Sequence, residues 1–156
     1  MEHYGGIDDP DKRCGYRPCA FVPQENPFYA ALPYNDLDDN GMRKDSAQRI
    51  PWFPAESPKA SLIKNRWIEI RYQEQVCYAQ WEDAGPFEED DFEYVFGNAE
   101  TSRNTKGVRA GIDISPAVRD CLGLPSNDFV EWLFREKADV PPGPWKEVIT
   151  TRDAAW

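Results

Sequence analysis

Histidine is all but missing from this chain of 156 residues: the single one, His3, stands in a loose, polar N-terminal stretch. A Ser-His-Asp or Cys-His relay needs an imidazole placed against its nucleophile, so that chemistry finds no base here. Cysteine is sparse as well. Cys14, Cys19, Cys77 and Cys121 form no C-x-x-C pair, and beside one histidine they make neither a conventional zinc site nor a thioredoxin-like redox motif. Basic residues are outnumbered, 18 Lys and Arg against 28 Asp and Glu, for a formal charge of -10. A surface of that sign argues against binding DNA, RNA or anionic membrane, and says little about a neutral partner such as a glycan. No apolar run is long enough to cross a bilayer, and MEHYGGIDDPDKRCG carries neither the basic segment nor the apolar core of a signal peptide. The expectation is either a cytosolic chain or a mature fragment made without its export signal. No internal repeat is visible.

What the chain has in quantity is aromatic rings and proline, with 6 Trp, 7 Tyr, 8 Phe and 14 Pro. The rings supply core for one domain, and a chain of this length buries about two-thirds of its extended surface. Residues 1–25 read as an irregular arm with a Cys14/Cys19 loop and an apolar anchor from Cys19 to Val22. Residues 26–156 read as the folded domain. The cysteines allow three complete disulfide pairings, or none.

Phe28 to Leu32 reads as a first strand, stopped by Pro33. From Arg66 to Tyr72 the chain alternates, with Ile68, Ile70 and Tyr72 on one face and Trp67, Glu69 and Arg71 opposite; Gln73-Glu74-Gln75 turns, and Val76 to Trp81 returns as the second arm of a hairpin. Ala110 to Ser115 reads as a short strand with Asp113 turned away from Ile112 and Ile114. Ser115 then caps a helix of about two turns that begins at Pro116, carries a Val118/Cys121/Leu122 stripe and stops at Gly123. Phe129 to Phe134 and Trp145 to Thr151 are expected as further strands. The pattern is mainly β, pointing to a compact barrel or sandwich with one or two short helices.

Three acids stand out from the acidic background. Asp113 is flanked by isoleucines, Asp83 meets a rigid Gly-Pro turn, and Asp36 ends the aromatic-rich stretch ALPYND. Two carboxylates in one groove are the ingredients of glycoside chemistry, and an inverting pair stands roughly 6.5–9.5 Å apart. Each acid also has a plain structural use: Asp113 bonding loop amides or the helix start, and Asp83 capping its own turn. Asp36, Asp38, Asn40 and Gly41 match positions of a calcium loop, but Ala47 stands where a bidentate glutamate is required; no metal site and no cofactor is expected. Tyr29, Tyr34, Trp67 and Trp81 form a platform for sugar rings or ordinary core packing. Trp67 is singled out because alternation puts it opposite Ile68 and Ile70, as an exposed ring.

GIDIS at 111–115, with Pro116-Ala117-Val118 and Leu122-Gly123, resembles the IDLS-x-A-A-x-x-x-LG segment of the rare-lipoprotein-A-like double-psi β-barrel family. Glu82 to Phe87, EDAGPF, resembles that family's N-D-R-G-P-F turn, Asn65 to Ile70 is similar to the strand leading to it, and Asn26 to Tyr29 is similar to the opening T-x-Y strand. Related barrels occur in expansins and family 45 endoglucanases. The resemblance implies a six-stranded double-psi β-barrel over 26–156, with Asp113 matching the aspartate that acts on β-linked glucan and Asp83 the aspartate of the lytic enzymes' turn. It departs at Gly111, where H-F-D has its histidine, and at Ala84, where the turn has arginine; the functional histidine of the lytic enzymes has no counterpart.

The resulting expectation is a secreted or cell-envelope barrel that binds a cell-wall polysaccharide without cutting it or with weak activity. The alternatives are a glycan-cleaving enzyme using Asp113 and Asp83, with Asp36 as a further base, and a secreted module that binds or inhibits a protein partner.

Overall fold

The computed structural model describes residues 3–53 and 60–152. In chain order the strands are β1 (Arg13–Cys14), β2 (Arg17–Pro18), β3 (Tyr29–Leu32), β4 (Trp67–Tyr72), β5 (Gln75–Ala84), β6 (Asp113–Ile114) and β7 (Glu131–Arg135); the α-helices are α1 (Phe92–Val95) and α2 (Pro116–Leu122). β1 and β2 pair only with each other, and the other strands of the described residues form a five-stranded sheet in the order β6-β3-β5-β4-β7. Its end strands β6 and β7 do not pair with one another, so the sheet is open. Strands also take up a minority of the chain.

The six-stranded double-psi barrel, and the expansin-like architecture that went with it, is therefore not the fold of this chain. Two features explain the failure to close. Ala110 to Ser115 yields only two residues of ladder, and Trp145 to Thr151, expected as a further strand, begins inside a 3-10 turn at Pro144–Lys146 and enters no strand among the described residues. Proline at the head of that turn has no N–H to offer a ladder. Among the described residues no helix is long and apolar enough to cross a membrane.

Where the sequence signals are local, the elements follow them. β4 and β5 form the antiparallel hairpin, Tyr72 facing Gln75 across a turn in which Gln73 takes a φ of 53°. The bonds Gln80 N–H to Phe28 C=O and Gly85 N–H to Leu32 C=O run in the same order along both segments, so β3 and β5 lie parallel. An interior parallel strand is covered on both faces, and three of the four residues of β3 are buried. β4 is covered on both faces too: Trp67, Ile68, Glu69 and Ile70 are all buried. Trp67, expected as an exposed ring opposite Ile68 and Ile70, is therefore buried instead.

The described residues pack as two compact units, the first drawn from 3–30, 66–80 and 114–151, the second from 31–53, 60–65, 81–113 and 152. In the first unit the Cys14–Cys19 disulfide closes the β1–β2 hairpin and the Cys77–Cys121 disulfide ties α2 to β5. The helix has the expected ends, with the Ser115 hydroxyl accepting the Val118 N–H at 3.3 Å and Gly123 in the left-handed conformation at φ 66°. The N-terminal arm is held by Asp8, a buried carboxylate that accepts from the Tyr4 and Tyr29 hydroxyls at 3.2 and 3.3 Å and from the Arg13 guanidinium.

A second polar knot fixes the C-terminal segment. Gln80 on β5 is buried; its Oε1 accepts the Thr150 N–H and an Asn26 Nδ2 hydrogen, both at 2.9 Å, and its Nε2 donates to the Thr150 carbonyl at 3.0 Å. Asn26 Nδ2 also donates to the Trp145 carbonyl at 2.9 Å. The Gln80 amide thus meets Thr150 as a neighbouring peptide group would. On the adjoining strand Glu69 is buried and accepts from Arg71 Nε at 2.5 Å and Arg135 Nε at 2.7 Å.

In the second unit Tyr34 is buried between Phe92 and Phe96, ring centroids 5.4 and 5.5 Å away, with its hydroxyl 2.9 Å from the Ser46 hydroxyl. Phe96 extends the cluster to Trp52 and Trp81. Within the apolar stretch 92–96 the chain makes the single turn of α1.

Two outcomes follow for stability. Gln80→Leu strands the Thr150 amide and carbonyl and one Asn26 hydrogen in the interior; leaving such groups unsatisfied costs about 2–4 kcal/mol, which denaturant titration reads directly, and hydrogen exchange should quicken first at 145–151. For Glu69, burial pushes the carboxyl pKa up, but the bonds from Arg135, Arg71 and Tyr78 outweigh it and hold the pKa below the ordinary 4.5. A depressed folded pKa adds stability above the unfolded value and loses it as pH falls through the folded one. Glu69→Gln should therefore be less stable than the parent at neutral pH, by about 2 kcal/mol, with the gap narrowing below pH 4.5.

Candidate functional site

Of the three expected acids, Asp36 is enclosed. It is fully buried, its Oδ1 accepting the Ser61 hydroxyl at 2.8 Å and its Oδ2 the Leu62 N–H at 2.6 Å. It fastens the segment at 61–62 to the loop after β3, and no face of it is left for a substrate. Asp83 is exposed near the end of β5, its Oδ1 accepting the Ala84 N–H at 2.9 Å. Asp113 is exposed on β6. β3 stands between the two strands that carry Asp83 and Asp113, a gap of about 10 Å for aligned positions on strands two apart.

The expected sugar platform is spent on packing. Tyr34, Trp67 and Trp81 are buried, and the Trp81 indole N–H donates to the Asp83 carbonyl at 2.8 Å. Tyr29 is half-buried with its hydroxyl on Asp8. The bond between Trp81 and the Asp83 backbone links two of the expected residues directly. It fixes the exit of β5 into the Gly85-Pro86-Phe87 turn.

The turn carries a ring that the sequence reading does not single out. Phe87 is 64% exposed, yet its backbone takes a φ of 64°. A bulky side chain in the left-handed region is strained, and such strain survives only where the surroundings enforce it. Lys106 sets its ammonium 5.5 Å from the ring centroid, within cation–π range, and Val108, two residues further along the chain, is 68% exposed. The loop bearing them is built: Asn104 is buried, its Oδ1 accepts the Lys106 N–H and its Nδ2 donates to the Ala110 carbonyl, both at 2.9 Å. Arg109, also left-handed at φ 57°, returns its N–H to the Lys106 carbonyl at 2.9 Å. The loop leads on to Gly111, where a Cβ would stand 2.3 Å from the Tyr94 hydroxyl. That close approach gives a local reason for glycine where the resembled motif has histidine.

A signal for Phe87 is present in the sequence. It is a large apolar residue followed by Glu88-Glu89-Asp90-Asp91, with no alternation to carry it inward. Within EDAGPF it counts only as one letter of a motif. The acids that follow do not converge on a cation: among the described residues no group of three His, Cys, Asp or Glu is placed to hold a metal ion. Asp91 instead accepts the Arg103 N–H at 2.7 Å, and Asp38 turns its Oδ1 onto the Asn40 and Met42 amides at 2.9 Å.

The arrangement offers an open aromatic face, a cation against the ring, and a carboxylate four residues before it in the chain. Such a surface can hold a flat, hydroxylated ligand by stacking and hydrogen bonding. Set against known proteins, the chain matches no family model, no curated protein and no solved structure.

Proposed function

We propose that this protein binds a neutral polysaccharide outside the reducing cytoplasm, with the Phe87 ring as its stacking platform, and holds the polymer without cleaving it. The observation that carries this reading is the exposure of Phe87 on a strained turn, flanked by Lys106 and following Asp83. Pyranose rings present a face of C–H bonds that packs on an aromatic face, while their hydroxyls take hydrogen bonds from the charged rim. Two further features support it. All four cysteines are in disulfides, the state expected of an oxidising compartment. The formal charge of -10 repels anionic polymers but leaves a neutral glycan untouched.

Binding without cleavage is favoured by where the acids sit. A carboxyl kept as proton donor near neutral pH has to be withdrawn from water. Asp83 and Asp113 are exposed, and Asp36, which is withdrawn, is fully engaged by Ser61 and Leu62.

Retention on insoluble cellulose, chitin and peptidoglycan tests the proposal. The protein should be held by at least one polymer; Phe87→Ala should lower that affinity roughly five- to tenfold, the loss of about 1 kcal/mol of ring contact, and Phe87→Trp should keep it. Equal retention of the parent and Phe87→Ala, or no retention on any polymer, overturns the reading. Soluble sugar released by the parent and not by Asp113→Asn would make the protein a glycan-cleaving enzyme. Phe87→Gly should bind as poorly as Phe87→Ala while melting higher: relief of the left-handed strain, about 1 kcal/mol, is worth about 2–4 °C in a chain of this size.

A further inference from the structure

The open sheet leaves β7 as an end strand. Its inner side is paired with β4 along its whole length, from Trp67 opposite Arg135 to Arg71 opposite Glu131, and no other strand of the described residues pairs with it. Edge strands are normally blunted by brevity, proline, bulges or charge; β7, Glu131-Trp132-Leu133-Phe134-Arg135, has no proline or bulge, carries its charges only at its two ends, and is flanked by a phenylalanine, Phe129, that is 96% exposed.

The strand is complementary to itself. Laid antiparallel on a second copy about Leu133, Glu131 faces Arg135, Trp132 faces Phe134 and Leu133 faces Leu133. The same contacts recur on the other side of the axis, as a two-fold interface requires. Cross-strand pairs of opposite charge and of aromatic rings are those that stabilise antiparallel ladders, whereas like charges directly opposite destabilise them. The parallel arrangement, or a shift by one residue, loses the Glu–Arg matches. The two charges thus favour this register over those arrangements.

We propose that two copies of the chain associate through their β7 edges, antiparallel and in register about Leu133, so that the sheet continues from one copy into the other, with Phe129 at each end of the contact.

Sedimentation equilibrium across a concentration series reaching the high-micromolar range should show a reversible monomer–dimer equilibrium. Glu131→Arg, an exposed substitution that sets arginine against Arg135 twice per dimer, should raise the dissociation constant at least tenfold. Register is read by cross-linking: Leu133→Cys meets its own copy at the axis and should give a disulfide-linked dimer on mild oxidation, whereas Glu74→Cys, at the exposed tip of the β4–β5 hairpin, should not. Circular dichroism of each variant establishes that it is folded before comparison. A monomer at every concentration, a dimer indifferent to Glu131→Arg, or equal cross-linking at 74 and 133 would overturn the proposal; an edge that pairs only with an added foreign peptide would appear as the first of these.

Discussion

The side chain of Gln80 does the work of a missing strand. A glutamine amide carries the same donor and acceptor as a peptide group, and here it faces Thr150 as a ladder partner would, accepting its N–H and donating to its carbonyl. The C-terminal segment is thereby held on β5 at one residue instead of along a ladder. Asn26 completes the arrangement, its own N–H on the Thr150 hydroxyl at 2.9 Å and its Oδ1 taking the Phe28 N–H at 3.0 Å, so the entry to β3 and the segment from Trp145 to Thr150 rest on one interior network. A network of this kind rigidifies only when every member is satisfied. For the Gln80 amide oxygen, with two donors, and its nitrogen, with one acceptor, the bonds account for nearly the whole capacity.

The acid excess has an internal explanation as well as an external one. Asp8, Asp36, Glu69 and Asp91 are all buried, and each joins segments distant in sequence or conformation. Asp8 gathers two phenols and a guanidinium, Asp36 ties the loop after β3 to 61–62, Glu69 links β4 to β7, and Asp91 takes the amide of Arg103. A buried carboxylate is tolerable only with such partners. In a chain rich in proline and poor in regular structure, charged fasteners replace the ladders that a barrel would have used. Asp83 and Asp113 are exposed instead, and Asp83 spends its Oδ1 on the Ala84 N–H of its own turn.

Local features are legible in the sequence because their causes are local. Ser115, Pro116 and Gly123 specify the two ends of α2 by capping chemistry and left-handed backbone alone, and the hairpin of β4 and β5 needs only two alternating runs and a short polar turn. The resemblance to rare-lipoprotein-A-like proteins rests on two such pieces, GIDISPA and EDAGPF, whose turn and cap geometries can form without a closed barrel around them. Closure depends on long-range pairing, which no short motif encodes. Trp145 to Thr151 has the composition of a strand, but Pro144 starts a 3-10 turn and Gln80 captures Thr150. The aromatics mislead for a related reason. Alternation says which face a side chain is on and is silent about whether that face is covered, so Trp67, expected exposed, lies inside.

Leaving the sheet open has unequal consequences at its two ends. β6 is two residues long and passes at once into Ser115, whose N–H bonds the Tyr29 carbonyl at 3.0 Å and whose hydroxyl donates to the Pro27 carbonyl at 2.7 Å before the chain coils into α2. Little backbone is left there to template another strand. At the other end β7 keeps five residues in ladder with β4. Charge is then the remaining control on that edge. Arg135 is committed to Glu69 on its inner side, which fixes the position of one terminal charge, while Glu131 at the other terminus is exposed. An edge that is apolar at the centre and oppositely charged at its ends disfavours an antiparallel slip by one residue, which sets Glu131 or Arg135 against a ring, and the in-register parallel approach, which sets each charge against its like. The substitution of a strand by a glutamine and the charge pattern of β7 are in this sense two parts of one solution to an unclosed sheet.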